Sequence, residues 1–354
     1  MKTMFDPIKI GNVVLKNRIV MAPMTRSRAD KSGAPTAMTV EYYQQRATAG
    51  LIITEGTYPS ANGKGYPRTP GIHSSQQIYA WQQVTEAVHS SGGKIFLQIM
   101  HVGRVAHPLN KEPNAQTVGP SAIKANGKMY TDQQGLQDMI MPHALQSSDI
   151  SAVIGEFKQA TANAFTAGFD GVELHAASGY LPMQFLSSNT NIRTDQYGGS
   201  VVNRIRFVTE VLEAMASVNG ADKVGIRIWP GATFNDIHDQ NPIETYTTLL
   251  KAITPMKLAY VHVVRSPDKN IDAFRLVRDH YDGLSIINGS LDFEAGESAI
   301  ASGLADLVSY ATLYIGNPDL VERFQKNAPL NLSDQNTYYT PGAKGYIDYP
   351  FLGK

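Results

Sequence analysis

Residues 151–175, SAVIGEFKQATANAFTAGFDGVELH, decide the fold. Val153, Ile154, Phe157, Ala160, Ala164 and Phe165 recur at the spacing of one helical face. Ser148 or Asp149 can cap this helix at its start, and Gly168 can take the left-handed stop at its end. Gly171-Val172-Glu173-Leu174-His175 follows at once, an apolar β-rich run ending in a polar group. Helix, stop and strand in immediate succession make one α-to-β step of an alternating chain.

The same step recurs outward in both directions. Upstream lie Arg18-Ile19-Val20-Met21, Leu51-Ile52-Ile53-Thr54 and Lys94-Ile95-Phe96-Leu97-Gln98, with helical patterns at 38–49 and 75–91. Downstream come residues 224–228, 260–264, 284–287 and 305–309, with helices predicted at 202–216, 242–254, 270–280, 292–301 and 317–326. Continuous apolar runs suit parallel strands buried on both faces. Eight units predict a (β/α)8 TIM barrel, an α/β fold in one domain spanning 1–354. An open sheet is not excluded by pattern alone. Residues 6–16 read as an N-terminal hairpin turning at Gly11-Asn12, placed to plug the barrel bottom. Residues 100–150 form a long insertion after strand three, and a connection of that length usually carries function or a small substructure.

The chain has 354 residues, 42% hydrophobic and 18% charged, with a formal net charge of zero. That balance supports a large core and gives no basic stripe for nucleic acid and no basic amphipathic segment for a membrane surface. There is no cysteine, which removes disulfides, thiolate metal sites and thiol nucleophiles. The start lacks the apolar run of a signal peptide, and no stretch approaches the ~18 apolar residues of a membrane span, so a cytoplasmic location is expected. His101 and His107 read as loop histidines, and no metal site is expected.

Chemistry in such a barrel gathers where strands end and the next loops begin. Those positions hold Thr25, Gly56, Gln98, His175 and Arg227, then Gly289-Ser290 and Tyr310-Ala311-Thr312. The set suits a flat heterocycle carrying a phosphate. Gln98 offers a donor and an acceptor to an imide edge, although a lone Gln is more often a satisfied core residue. Arg227 in an apolar strand needs a partner, because burying it unpaired is costly. That partner is either an anionic ligand ring or a structural ion pair, and the residues alone leave both open. His175 and Tyr180 by themselves read as a core histidine and a loop aromatic.

Longer blocks narrow the reading. They are Phe5-Asp6-Pro7-Ile8-Lys9-Ile10-Gly11, residues 17–26 (NRIVMAPMTR), Glu41-Tyr42-Tyr43, Gly65-Tyr66 and residues 168–175 (GFDGVELH). Gly179-Tyr180-Leu181, Gln184-Phe185-Leu186-Ser187, Tyr197-Gly198-Gly199-Ser200 with Asn203-Arg204, and residues 345–350 (GYIDYP) complete the set. On these blocks the chain resembles the Old Yellow Enzyme family of FMN-dependent ene-reductases over nearly its whole length.

The resemblance implies an FMN-binding oxidoreductase using NAD(P)H as co-substrate and a small-molecule substrate with an activated C=C bond, an enone or a nitro compound. Thr25 would bond the flavin O4, with Pro23, Met24 and Gly56 along the ring. Gln98 would hold the pyrimidine edge and Arg227 the N1–O2 locus. Gly289, Ser290, Ala311 and Thr312 would surround the phosphate. His175 would donate to the substrate oxygen, Tyr180 would protonate the α-carbon, and Tyr66, Met100 and Tyr346 would shape the substrate face. The 191–204 block reads as a structural clamp, with Ser200 capping the next helix.

Three positions depart from the family. Ser178 stands where a second donor, His or Asn, is usual; it can supply one shorter hydrogen bond. Ala311-Thr312 replaces a Gly-Arg pair whose Arg binds the phosphate, a loss of roughly 1.5–3 kcal/mol, so weaker FMN binding through backbone N–H groups is expected. Met100 replaces an aromatic residue and predicts a softer, wider pocket. Two other roles follow from these departures: flavin-dependent isomerisation or a specialised biosynthetic reduction, and a flavin-poor ligand-binding pseudoenzyme. The sequence leaves monomer or homodimer open.

Overall fold

Eight parallel strands close into a barrel in chain order in the computed structural model, which describes residues 2–353. Met1 and Lys354, the ends of the expected domain, lie outside the described residues. The strands are Ile19–Met21, Leu51–Ile53, Ile95–Ile99, Gly171–Ala176, Val224–Ile228, Tyr260–Val264, Ser285–Asn288 and Leu307–Tyr310. Tyr310 pairs with Met21 and closes the ring. Every strand expected from the sequence is present, with ends moved by a residue or two. The eighth starts at Leu307 because Asp306 stays in the turn, where its carboxylate accepts the Ser285 amide and the Arg278 guanidinium, both at 3.0 Å.

The opening stretch folds as read, with one correction. Its helix runs Ser147–Thr166, and the cap is Gln146 rather than Ser148 or Asp149. Asp149 sits three residues on and its carboxylate takes the Gln146 N–H at 2.8 Å, the reciprocal half of a capping box. Gly168 holds φ +86°, as a left-handed stop requires. Ser200 caps Val201–Asn219 by accepting the Asn203 N–H. The last expected helix, 317–326, forms as Leu320–Gln325, and a further short helix not expected from the sequence, Thr312–Gly316, precedes it. Pro318 cannot donate, and the Asn317 side chain takes the Leu313 carbonyl, so the segment breaks there.

The hairpin Ile8–Ile10 with Val13–Leu15 forms with Ile8 opposite Leu15. Ile10 and Leu15 pack against Val20, Leu51, Phe96, Tyr260, Ile286 and Leu307, which plugs the barrel bottom. The insertion carries two small ladders, Val118–Gly119 beside His143–Ala144 and an antiparallel hairpin of Lys128–Thr131 with Gly135–Asp138. That hairpin lies over the opposite, C-terminal mouth, where Lys128, Tyr130 and Leu136 face a cavity. Among the described residues no helix is long and apolar enough to cross a membrane.

Candidate active site

Above the apolar plug the barrel interior turns polar. Glu173 and His262 are fully buried. His262 Nδ1 lies 2.9 Å from Glu173 Oε2, and a carboxylate only accepts, so Nδ1 carries the proton. Nε2 is then an acceptor, and it meets Arg227 at 2.8 Å and Ser309 Oγ at 2.8 Å. Arg227 also donates to Asn288 Oδ1 at 2.9 Å. Burial, with Arg227 next in importance, pushes His262 down to about 4, which fixes it as neutral. Gln98 joins the layer by donating Nε2 to Glu173 Oε1 at 2.8 Å, leaving its Oε1 as the acceptor for a ligand. Arg227 therefore has two neutral hydrogen-bond partners and the carboxylate only through His262. The structural ion pair left open by the sequence is not a direct one.

A cavity of about 1080 Å³ opens directly over this layer. Pro23, Met24, Thr25, Gly56, Gln98, Ala311 and Thr312 all line it, as do His175, Ser178, Tyr180, Tyr66 and Met100. The loop after strand two packs closely on Met100, whose side chain would have to shift to admit a Cβ on Gly56. Met100, Met129, Met139 and Tyr180 make an apolar wall with Tyr66 against it. Arg68 fastens the rim, donating to Ser27 O, to Tyr339 O and to the Asp132 carboxylate.

His175 ends strand four with its ring edge-to-face on Tyr180, centroids 4.9 Å apart. Its Nδ1 accepts the Ala177 N–H at 3.3 Å, so the proton sits on Nε2 and that nitrogen is a donor. Burial, with Arg227 and His262 nearby, drives its pKa well below the usual histidine value. The Tyr180 hydroxyl donates to Tyr66 Oη at 3.1 Å. Burial holds the Tyr180 phenol well above its ordinary 10, so it stays protonated until a strong base reaches it. Ser178 holds φ +55° between the two catalytic candidates, and its carbonyl takes Asn235 Nδ2 at 2.8 Å.

A second cavity, about 630 Å³, adjoins the first at Ala311 and Thr312 and is lined by Gly289 and Ser290. Arg323 also borders it, but its three nitrogens bind Asp319 Oδ1, Pro329 O and Pro350 O. Arg265 abuts the loop from outside, donating Nε to Gly289 O at 3.1 Å. The polar groups lining this cavity are the Ser290, Ser309 and Thr312 hydroxyls, the Asn288 and Asn327 amides and the Asp292 and Glu294 carboxylates, beside the backbone of the two loops.

Two expected residues line neither cavity: Arg227, which stays in the polar layer beneath, and Tyr346. Tyr346 does not line the mouth; it is fully buried, stacked on Tyr42 at 4.2 Å with the Arg28 guanidinium 4.6 Å from its ring. Aromatic area packed between two cations is more stable as core than as pocket wall, and Tyr338 and Tyr339 occupy the rim instead. Glu173, His262, Asn288 and Ser309 join the site beyond the residues expected from the sequence. Their signal was available: each is a polar residue inside an otherwise apolar barrel strand, in line with Gln98 and Arg227. His101 and His107 each accept a nearby backbone N–H, from Gly103 and Leu109.

Comparison with known proteins places this arrangement. Residues 3–331 match the model of the NADH:flavin oxidoreductase / NADH oxidase family. The chain is 40% identical to 12-oxophytodienoate reductase 7 of Oryza sativa subsp. japonica, covering 99% of this chain and 95% of that protein. It is 39% identical to a probable flavin mononucleotide-dependent alkene reductase of Leishmania infantum, over 99% and 97%. Among solved structures, an old yellow enzyme homologue from Zymomonas mobilis superposes with a TM-score of 0.96 at 37% identity, over 99% and 100%. Morphinone reductase in complex with tetrahydroNAD gives 0.95 at 41%, over 99% and 98%.

Proposed function

We propose a residue-level mechanism from one premise: this chain belongs to the NADH:flavin oxidoreductase / NADH oxidase family, and to its Old Yellow Enzyme type. It is an FMN-dependent oxidoreductase that reduces activated C=C bonds of small molecules with hydride from NADH or NADPH. The observation that carries the residue assignment is the joined pair of cavities at the barrel mouth, one floored by Gln98, the other lined by Ser290 and Thr312.

The donor set fits FMN. Gln98 Oε1 and its remaining N–H match the imide edge of the flavin. Arg227, held from below by two neutral partners, has its positive charge available to an N1–O2 locus that carries negative charge in the reduced form. Thr25 would bond O4, while Pro23, Met24 and Gly56 flank the ring. The phosphate would rest on backbone N–H groups around Ser290 and Thr312 and on their hydroxyls. FMN, when bound, supplies the hydride carrier between nicotinamide and substrate.

The remaining chemistry belongs to the chain. His175 donates Nε2–H to the substrate oxygen, where negative charge grows as hydride adds to the β-carbon. A preorganised donor of that kind is worth roughly 3 kcal/mol. Ser178 can add one further hydrogen bond from the same loop. Tyr180 gives its Oη proton to the α-carbon. Met100, Met129 and Met139 keep the reacting face dry.

The test is anaerobic. Adding NADPH or NADH to the FMN-loaded protein should bleach the flavin band, and cyclohexenone should restore it. Bleaching with no recovery would favour the isomerisation or specialised biosynthetic role. Protein that takes up no FMN would leave only the ligand-binding role.

A further inference from the structure

The acid that the mechanism uses does not stand alone. Tyr180 and Tyr66 come from loops after strands four and two, and their hydroxyls meet at 3.1 Å with the rings edge-to-face. Burial raises the Tyr66 phenol above its ordinary value, and the hydroxyl of Tyr180, with the nearby Asn235 side chain, pulls it partly back. Asn235 is itself fixed. Its Nδ2 is on Ser178 O, its carbonyl is taken by Arg104, and it sits at φ +60°. Tyr339, exposed at the rim, is electrostatically close to both phenols.

Once Tyr180 has given up its proton, a phenolate remains beside the apolar wall of Met100, Met129 and Met139. Burial opposes that anion strongly at Tyr180. At Tyr66 burial opposes it as well, but less, because the Tyr180 hydroxyl and then the Asn235 side chain offset part of the burial. Charge left on Tyr180 would also stand against the edge of the His175 ring. A second proton source within hydrogen-bond reach removes it before the next cycle.

We propose that Tyr66 is the second member of a proton relay, re-protonating Tyr180 after each turnover, with Asn235 holding the Tyr66 phenolate until water at the Tyr339 rim restores it. The steps balance. The Tyr180 O–H bond breaks as the α-carbon C–H bond forms. The Tyr66 O–H bond then breaks as the Tyr180 O–H re-forms. Last, water protonates Tyr66 and leaves hydroxide to the solvent. Hydride enters from the nicotinamide by the activity already described. The relay rests on the reading of Tyr180 as the acid. Tyr66 acts through Tyr180 and is therefore a positioning residue.

The experiment counts saturated ketone by rapid quench, using FMN-loaded enzyme, saturating NADPH and cyclohexenone, in H2O and in D2O. Tyr66→Phe should make its first equivalent of product within about twofold of the wild-type rate, then slow by about tenfold in later turnovers. In Tyr66→Phe the solvent isotope effect should be larger in the later phase than in the first turnover, where only the Tyr180 deuteron moves. Asn235→Ala should show the same split in weaker form. Equal slowing of both phases in Tyr66→Phe, or no change in either, overturns the relay. Tyr180→Phe is the control beneath it: it should slow the first turnover, and a wild-type first turnover there would remove the acid assignment and the relay together.

Discussion

A histidine at the end of an apolar strand is informative once its tautomer is known. His175 takes a backbone N–H on Nδ1 and offers Nε2–H, while His262 gives Nδ1–H to Glu173 and offers a lone pair. Two rings on strands four and six thus present opposite polarity, one as donor to a ligand and one as acceptor for Arg227. Nothing in the residue letters carries that difference; it comes from which neighbour each nitrogen meets. Thr312 is the converse case, a loss that the letters do show. The cavity it borders has no free guanidinium, since Arg323 is spent on Asp319 and two carbonyls. Thr312→Arg should therefore tighten FMN binding by about one to two decades, the value of a charge-assisted bond of roughly 1.5–3 kcal/mol. Fluorescence titration of the apoprotein checks it, and unchanged affinity would mean the phosphate lies elsewhere.

Elements differ in how much of their fate is local. The eight strands were legible because burial on both faces leaves an unbroken apolar run, and the 151–167 helix because one face repeats at helical spacing. The end of the chain was not. Residues 345–350 look like a pocket-lining loop in sequence, yet Tyr346 is drawn inward by partners more than three hundred positions away. Arg26 donates to Tyr338 O and Gly345 O, and Arg28 reaches Thr337 O and Lys344 O. A segment held by such distant guanidiniums has no local pattern to read. The late start of the last helix at Leu320 was within reach, since Asn317-Pro318-Asp319 announces a break. Tyr346→Ala should cost about 3–5 kcal/mol of stability, as for other buried aromatics, and leave the enone KM nearly unchanged. Denaturant melts beside steady-state kinetics measure both; a raised KM at intact stability would return Tyr346 to the substrate face.

Across the whole molecule one device recurs. The barrel bottom is sealed by Ile10 and Leu15, the middle carries a polar layer from strands three to eight, and the mouth is roofed by the insertion hairpin and by residues 338–341. The polar layer holds Gln98 and Arg227 in place before any ligand arrives, which is what preorganised recognition requires. Most of its visible half was read from strand-end residues. The pairing of its hidden half, Glu173 and His262, is not legible strand by strand, because each is satisfied by a partner on another strand. The central claim is that these two edge groups grip a flavin while His175 and Tyr180 face its substrate side. A crystal structure of the protein soaked with FMN and a simple phenol tests it most directly. The account predicts the flavin pyrimidine edge against Gln98 and Arg227, with the phenol oxygen within hydrogen-bond distance of His175 Nε2. A ring lying outside that cavity, or a phenol oxygen turned away from His175, would contradict it.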